Sequence, residues 1–311
     1  MMILLTGASG FVGKGVLKTA QQRSLKIRPV FRSMDVAKGH HEAVLVSGLD
    51  GSADWSQALK GIDVVIHAAA RAHIMREEAL DPLAEYRRVN VEGTLNLAYQ
   101  AAAAGVRRFI FISSIKVNGE ASAQGRPFTA DDTPAPEDAY GLSKAEAEEE
   151  LKQVAQETGM AVTIIRPPLI YGPGVKGNLA TLISWARRGI PLPLGGVIHN
   201  RRSLVGLDNL VDLILVCVAH PKAANQTFLI SDGEDISTLE LLRKIGKALG
   251  RPARLIWVPA GLISFMACLV GKQLISQRLL STLQLDINKT CELLNWKPSV
   301  SMDEGLRRAV E

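Results

Sequence analysis

Only three cysteines occur in the 311 residues: Cys217, Cys268 and Cys291. They share no short spacing. That excludes a disulfide framework or a cysteine-based zinc site and reads as buried free thiols in a reducing compartment. A run of like charge is also missing. The formal charge is +5, from 36 basic and 31 acidic residues, and the Lys and Arg residues are scattered. The chain thus lacks the basic stripe that a nucleic-acid binder needs, although a few placed cations suffice for an anionic small molecule. No apolar run reaches the roughly 18 to 20 residues of a membrane span. The longest, Leu255 to Val270, contains Pro259 and is expected to pack in a domain core, with interfacial membrane contact as the alternative. The opening Met1-Met2-Ile3-Leu4-Leu5 runs into Thr6-Gly7 with no basic region or cleavage site. It reads as a strand rather than a signal peptide, and the expected location is cytoplasmic. Internal repeats and low-complexity tracts are absent. With 47% hydrophobic and 22% charged residues, the chain reads as folded and globular. Its length suits one large domain with an appendage.

What is present is an alternation of short apolar runs with longer helical patterns. The strand candidates are Ile3–Leu5, Ile27–Phe31, Ala43–Val46, Val64–Ala68, Phe109–Ser113 and Val162–Arg166. They are rich in β-branched residues and nearly continuous in hydrophobicity, as strands of a parallel sheet covered on both faces are. Helical patterns such as Val91–Ala104 and Ser143–Thr158 lie between them. The alternation predicts an α/β fold, a doubly wound parallel sheet. After Arg166, the breakers Pro167-Pro168, Gly172-Pro173-Gly174 and Pro191–Gly196 interrupt the rhythm. A helix Asp208–Ala219 and a strand Gln226–Ile230 are expected to return to the sheet. The remainder, from Thr238 to Glu311, reads as a smaller, mostly helical unit closing over the sheet's carboxyl edge.

The first strand runs into Thr6-Gly7-Ala8-Ser9-Gly10-Phe11-Val12-Gly13 and then a helix. Gly7 suits a tight turn, Gly10 a close approach of backbone to a pyrophosphate, and Gly13 close packing of helix on strand. The helix amino terminus then faces the negative charge. The spacing is GxxGxxG, not the GxGxxG of the usual dinucleotide fingerprint; its position between strand and helix gives it weight. For the adenine ribose, an acid at the end of the second strand suits NAD and a cation suits the 2′-phosphate of NADP. The strand Ile27–Phe31 is followed by Arg32, with Asp35 as the rival. The cofactor expected is therefore NAD(P), with Arg32 favouring NADP(H).

Tyr140-Gly141-Leu142-Ser143-Lys144 opens a helix. Residues four apart share a face, so the Tyr140 phenol and the Lys144 ammonium can reach one site. An ammonium beside a phenol, helped by an oxidised nicotinamide, lowers the phenol pKa toward that of a working acid/base. The strand Phe109–Ser113 ends in Ser113-Ser114 at the carboxyl edge, where open α/β sheets bind ligands; for Ser114 a plain strand-end cap is the competing role.

In these motifs the chain resembles the extended short-chain dehydrogenase/reductase family of nucleotide-sugar epimerases, dehydratases and 4-ketoreductases. The resemblance runs from Leu4-Leu5-Thr6-Gly7 nearly to the carboxyl end. It takes in His67-Ala68-Ala69-Ala70, Asn90-Val91-Glu92-Gly93-Thr94, Ser113-Ser114, Tyr140 with Lys144, and Arg166-Pro167-Pro168-Leu169-Ile170-Tyr171-Gly172-Pro173. It implies a Rossmann domain over residues 1–170 and about 205–231, and a substrate domain over 171–204 and 232–311. It further implies that Tyr140 is the acid/base, that Lys144 holds the nicotinamide ribose, and that Ser114 orients the reacting sugar oxygen. Gly7, Gly10, Phe11, Val12, Gly13, Arg32, Ala68, Ala69 and Pro167 would border the dinucleotide. Asn178, Arg201 and Arg278, with Arg202 as a further candidate, would meet a nucleotide diphosphate. A homodimer paired through two long helices is also implied.

Two departures from the family bear on function. Dehydratases place an acid pair after the active-site hydroxyl, where this chain has Ile115-Lys116, so elimination of water lacks its acid and base. Relatives often carry an acid before the adenine-binding turn, where this chain has Gly48. The stretches Ser113–Glu120 and Asn200–Asp208 resemble enzymes of N-acetylquinovosamine synthesis. The leading expectation is therefore a reductase of a UDP-4-keto-6-deoxy-N-acetylhexosamine, in surface lipopolysaccharide synthesis. The catalytic residues suit a UDP-glucose or UDP-N-acetylglucosamine 4-epimerase with bound NAD equally well. A steroid dehydrogenase and a redox-sensing binding protein are the remaining alternatives.

Overall fold

Strand β1 (Met2–Thr6) leads through α1 (Phe11–Gln22) to β2 (Lys26–Phe31), α2 (Met34–Ala37), β3 (Val44–Leu45) and β4 (Val64–His67). Helix α3 (Pro82–Arg87) passes through a π-helical turn (Arg88–Glu92) into α4 (Gly93–Ala103). There follow β5 (Arg108–Ile112), α5 (Ala139–Thr158), β6 (Ala161–Arg166), β7 (Leu169–Tyr171) and α6 (Gly177–Arg188). The chain continues with β8 (Arg202–Gly206), α7 (Leu207–Ala219), β9 (Gln226–Leu229), β10 (Asp235–Ile236), α8 (Thr238–Ala248) and α9 (Ala260–Leu269). Helices Asn288–Leu294 and Met302–Val310 close it. The structure is a computed structural model that describes residues 1–40, 42–72, 81–269 and 279–311.

Seven strands form one sheet in the order β3-β2-β1-β4-β5-β6-β9, every neighbouring pair parallel. Alternate residues of each strand serve opposite faces. Ile3 and Leu5 join Ile66, Ile110 and Ile112 against Val16 of α1 and Val211 of α7. Leu4 joins Val65, Phe109 and Phe111 against Leu97 of α4 and Leu151 of α5. Both faces are dry, which is why the strands read as continuous apolar runs. The order reverses between β1 and β4, the switch point at which such sheets bind ligands.

The breaker-rich segment after Arg166 holds a second sheet, β10-β8-β7. Here β7 pairs parallel to β8 and β10 antiparallel to it. The sequence predicts mostly helix in this half, because strands of three, five and two residues are too short for alternation to register. This sheet, α6, α8 and the last helix share a core of Tyr171, Leu182, Leu242, Met302 and Leu306.

Two expectations need correction. Cys217 is buried, but Cys291 is half-buried and Cys268 exposed. The apolar run around Cys268 does not fill a core: Leu262, Phe265, Met266 and Leu269 of α9 are exposed, and only Ile263 of that helix packs on the third cluster. Its apolar residues run all the way round, so packing one side leaves the other bare. Among the described residues no helix is long and apolar enough to cross a membrane.

Candidate active site

Thr6 ends β1 opposite His67 of β4, and the chain turns at Gly7 with φ +68°. A Cβ on Gly7 would stand 2.6 Å from the Ala68 carbonyl carbon and the Ala69 nitrogen. One on Gly13 would stand 2.1 Å from the Gly7 carbonyl oxygen. Both distances are far inside contact, so only glycine lets the loop lie flush between β4 and the first turn of α1. Gly10 is the residue capping α1 and brings no side chain to it, so first-turn N–H groups of that helix, including those of Phe11 and Val12, stay without intrahelical partners. A bare helix amino terminus at the switch point, lined by backbone alone, fits a pyrophosphate.

A buried polar chain holds this corner together. Thr6 Oγ1 lies 2.8 Å from His67 Nδ1, and His67 Nε2 lies 3.1 Å from Thr94 Oγ1. Thr94 Oγ1 donates to the Asn90 carbonyl at 2.7 Å. Burial, and then the nearby Lys144, push the His67 pKa down to about 3, so the imidazole is neutral and serves as a hydrogen-bonding spacer. Asn90 Nδ2 donates to Ser143 Oγ at 3.0 Å, and Ser143 Oγ donates to the Tyr140 carbonyl at 2.8 Å. The π-turn that carries Asn90 is thereby tied to the first turn of α5.

Tyr140 and Lys144 sit on α5, which Asp138 starts by accepting from the Gly141 N–H at 2.7 Å. Ser114 follows β5 and caps a short 3-10 turn, accepting from the Lys116 N–H at 3.3 Å. The capping role considered for it is thus present, and its hydroxyl also faces the Tyr140 phenol and favours its ionised form. Burial raises the phenol pKa, Asp138 and Tyr86 raise it further, and the Ser114 bond acts the other way. The Lys144 ammonium is turned to the sheet, 2.9 Å from the Ile112 carbonyl oxygen and 4.2 Å from the Phe111 ring centroid. In this geometry it is not what sets the Tyr140 pKa, contrary to the expectation from spacing. Its own pKa is brought down to about 7 by burial, against the pull of Glu148.

Two charged groups around this core were not singled out from the sequence. Glu148, one turn beyond Lys144, pairs with Arg166 at 2.6 Å with both side chains almost fully buried. Ser113 Oγ donates to the same carboxylate, and Arg166 Nη1 donates to Asn118 Oδ1 at 2.9 Å. The i, i+4 spacing of Lys144 and Glu148 was a usable signal. The partner Arg166 required the β5–β6 pairing. Lys116 donates to both Glu120 and Asp138. Burial works against the Asp138 charge, but the bonds from Lys116 and Gly141 hold its carboxyl below the usual range.

The remaining predicted residues divide. Ala68 and Ala69 abut Gly7, and the Pro167 carbonyl accepts from the Ile115 N–H at 3.0 Å, beside Ser114. Arg32 is exposed just past β2, while Asp35 is engaged by Lys38 at 3.0 Å. Asn178 is exposed in the first turn of α6. Arg201 reaches the Ile198 and Asn200 carbonyls and Glu240, and Arg202 reaches Ser281. Among the described contacts none joins Asn178 or Arg201 to Ser114, Tyr140 or Lys144. Arg278 lies outside the described residues.

A doubly wound sheet with a glycine cradle at its switch point and a Ser–Tyr–Lys group beside it defines a dinucleotide-dependent oxidoreductase architecture. Residues 3–231 match the NAD dependent epimerase/dehydratase family, and the chain belongs to that family. It is 48% identical over 309 residues to a UDP-glucose 4-epimerase of Vibrio cholerae, covering 99% of this chain and 94% of that one. The fold matches a UDP-glucose 4-epimerase of Thermotoga maritima, solved with UDP-glucose, with a TM-score of 0.78 and 24% identity over 100% of this chain and 97% of the other. It also matches a UDP-N-acetylglucosamine 4-epimerase of Bacillus cereus, with a TM-score of 0.79 and 18% identity over 100% and 95% of the two chains. At those identities the two solved structures speak for the fold alone.

Proposed function

We propose that this chain is a UDP-sugar 4-epimerase working with a nicotinamide dinucleotide held in the Gly7–Gly13 cradle. The observation that carries the reading is the Ser114–Tyr140 pair at the switch-point edge, in a chain nearly half identical along its length to a UDP-glucose 4-epimerase. Residues 1–170 with 205–231 would hold the cofactor, and 171–204 with 232–311 the sugar nucleotide, with Asn178 and Arg201 near its diphosphate. A bound nicotinamide dinucleotide would supply hydride uptake and return at the sugar C4. Tyr140 Oη takes the proton of the C4 hydroxyl and gives it back, while the Ser114 hydroxyl holds that oxygen in place. Tyr140 is neutral in the resting site, so its base form requires added positive charge close by. Lys144, one turn along the same helix, binds the ribose. Dehydration is disfavoured because Lys116, engaged by Glu120 and Asp138, stands where a dehydratase needs an acid.

One observation favours a second reading. Arg32 is exposed beyond β2 and has no ion-pair partner among the described residues. A cation there suits NADP(H) and a 4-ketoreductase that consumes reduced cofactor at each turnover. UDP-glucose and UDP-N-acetylglucosamine incubated with the purified protein and NAD are expected to yield their C4 epimers without net cofactor change. In parallel, a dehydratase supplies UDP-4-keto-6-deoxy-N-acetylhexosamine and the reduced nicotinamide is followed by absorbance. Stoichiometric loss of reduced cofactor there, with no epimer in the first tubes, would replace the epimerase by the reductase.

A further inference from the structure

Helix α9 carries Leu262, Phe265, Met266 and Leu269, spaced i, i+3, i+4, i+7, the stripe by which a helix normally enters a core. Here the stripe faces solvent: Phe265 is 60% exposed and Leu269 66%. The opposite side is anchored through Ile263. Trp257, 69% exposed, stands just before the helix. A contiguous apolar face of this kind on a folded chain marks a contact surface.

The charges around it say what the contact is. Neither the segment 159–207 nor the segment 241–285 contains a single Asp or Glu, and the fold brings residues 186–192 of the first against residues 251–255 of the second. Leu192 bridges Leu255, the Leu192 N–H donates to the Arg254 carbonyl at 2.9 Å, and Arg251 reaches the Ala186 carbonyl at 3.3 Å. Exposed Trp185 and Ile190 lie at the same corner. Arg188 and Arg254 are exposed with no carboxylate partner among the described residues. Arg187 and Arg251 donate to the Val310 and Ala186 carbonyls. An apolar helical stripe, exposed tryptophans and acid-free arginines complement a surface that is apolar inside and anionic at its rim. A second copy of this chain would set these arginines against one another. We propose that the α9 face docks on the surface of an anionic phospholipid bilayer, with Phe265 and Leu269 entering the acyl boundary and Arg188 and Arg254 meeting headgroup phosphates.

The test is flotation of the purified full chain with phosphatidylcholine vesicles, with or without about one-third phosphatidylglycerol. The wild type is expected to float with the anionic vesicles at low salt and to stay down with the neutral ones. Phe265→Glu, and separately Arg188→Glu with Arg254→Glu, should weaken partitioning by about tenfold or more. Both change exposed side chains, so circular dichroism and epimer formation should match the wild type. Sedimentation velocity on the same samples reads self-association. Failure of the wild type to float with anionic vesicles, or equal flotation of Phe265→Glu, overturns the proposal. A dimer that Phe265→Glu dissociates, with no vesicle binding, assigns the face to a second copy instead.

Discussion

The Lys144 ammonium lies 4.2 Å from the centroid of the Phe111 ring, buried against the end of β5. Burial there brings its pKa down to about 7, against an ordinary value near 10.4. Between those values the unfolded chain holds a proton at this site that the folded chain has released. The group's contribution to stability is therefore lowest below about pH 7 and rises with pH through the window up to about 10. Urea midpoints measured across that range are expected to climb in the wild type relative to Lys144→Met. Parallel curves for the two proteins would mean that Lys144 stays charged when folded.

Glu148 is the buried counter-charge of Arg166 and also pulls the Lys144 pKa upward. Glu148→Gln leaves a buried guanidinium without its carboxylate and is expected to cost about 3–5 kcal/mol. Replacing both residues by methionine should recover much of that loss, because two apolar side chains need no pairing. Urea unfolding of the single and double variants reads both effects. A double variant no more stable than the single one would show that the pair's hydrogen bonds to Ser113 and Asn118, not its charge balance, hold this layer.

On the proposed mechanism, Tyr140→Phe removes the proton carrier and keeps the ring. Turnover is expected to drop by about two to four orders of magnitude, with dinucleotide affinity, read by fluorescence titration, unchanged. Ser114→Ala should give a smaller loss, and should raise the phenol pKa by removing a bond that lowers it. Near-normal rates in Tyr140→Phe would move the proton chemistry to another group.

Arg32→Ala tests the adenosine end of the cradle. Loss of a charge-assisted contact to a 2′-phosphate should weaken NADP(H) by about tenfold or more and leave NAD(H) unaffected. Equal affinity for both forms before and after substitution would release Arg32 from the site.

The parallel sheet was legible because its central strands are buried on both faces, and continuous apolar runs such as Phe109–Ile112 cannot be mistaken for a half-exposed strand. Tyr140 and Lys144 were legible because helical spacing alone puts them on one face. Their working environment was not. Asp138, Tyr86 and Phe111 reach the pair from a cap, a distant helix and a strand, and only the packing shows that Lys144 turns to the sheet. Arg201 was named from the family resemblance, and only the fold shows that its guanidinium also meets Glu240, 39 positions away. The apolar run around Phe265 misled because hydrophobicity measures the drive to leave water and says nothing of what will cover the surface.

The π-turn at Arg88–Glu92 makes the Gly93 N–H bond back to the Arg88 carbonyl, five residues earlier. It accommodates one residue more than an ordinary helical turn, and that extra residue decides where Asn90 faces. Deleting Val91 or Glu92 would restore regular winding and swing everything ahead of it by about 100° around the axis. Leu97, Ala98 and Ala101 would keep their places in the core, while Asn90 would leave Ser143 and the start of α5 would lose its tether. The segment is thus constrained in length as much as in composition. Here a one-residue gap is a heavier change than most substitutions, and it acts on Tyr140 through the start of α5.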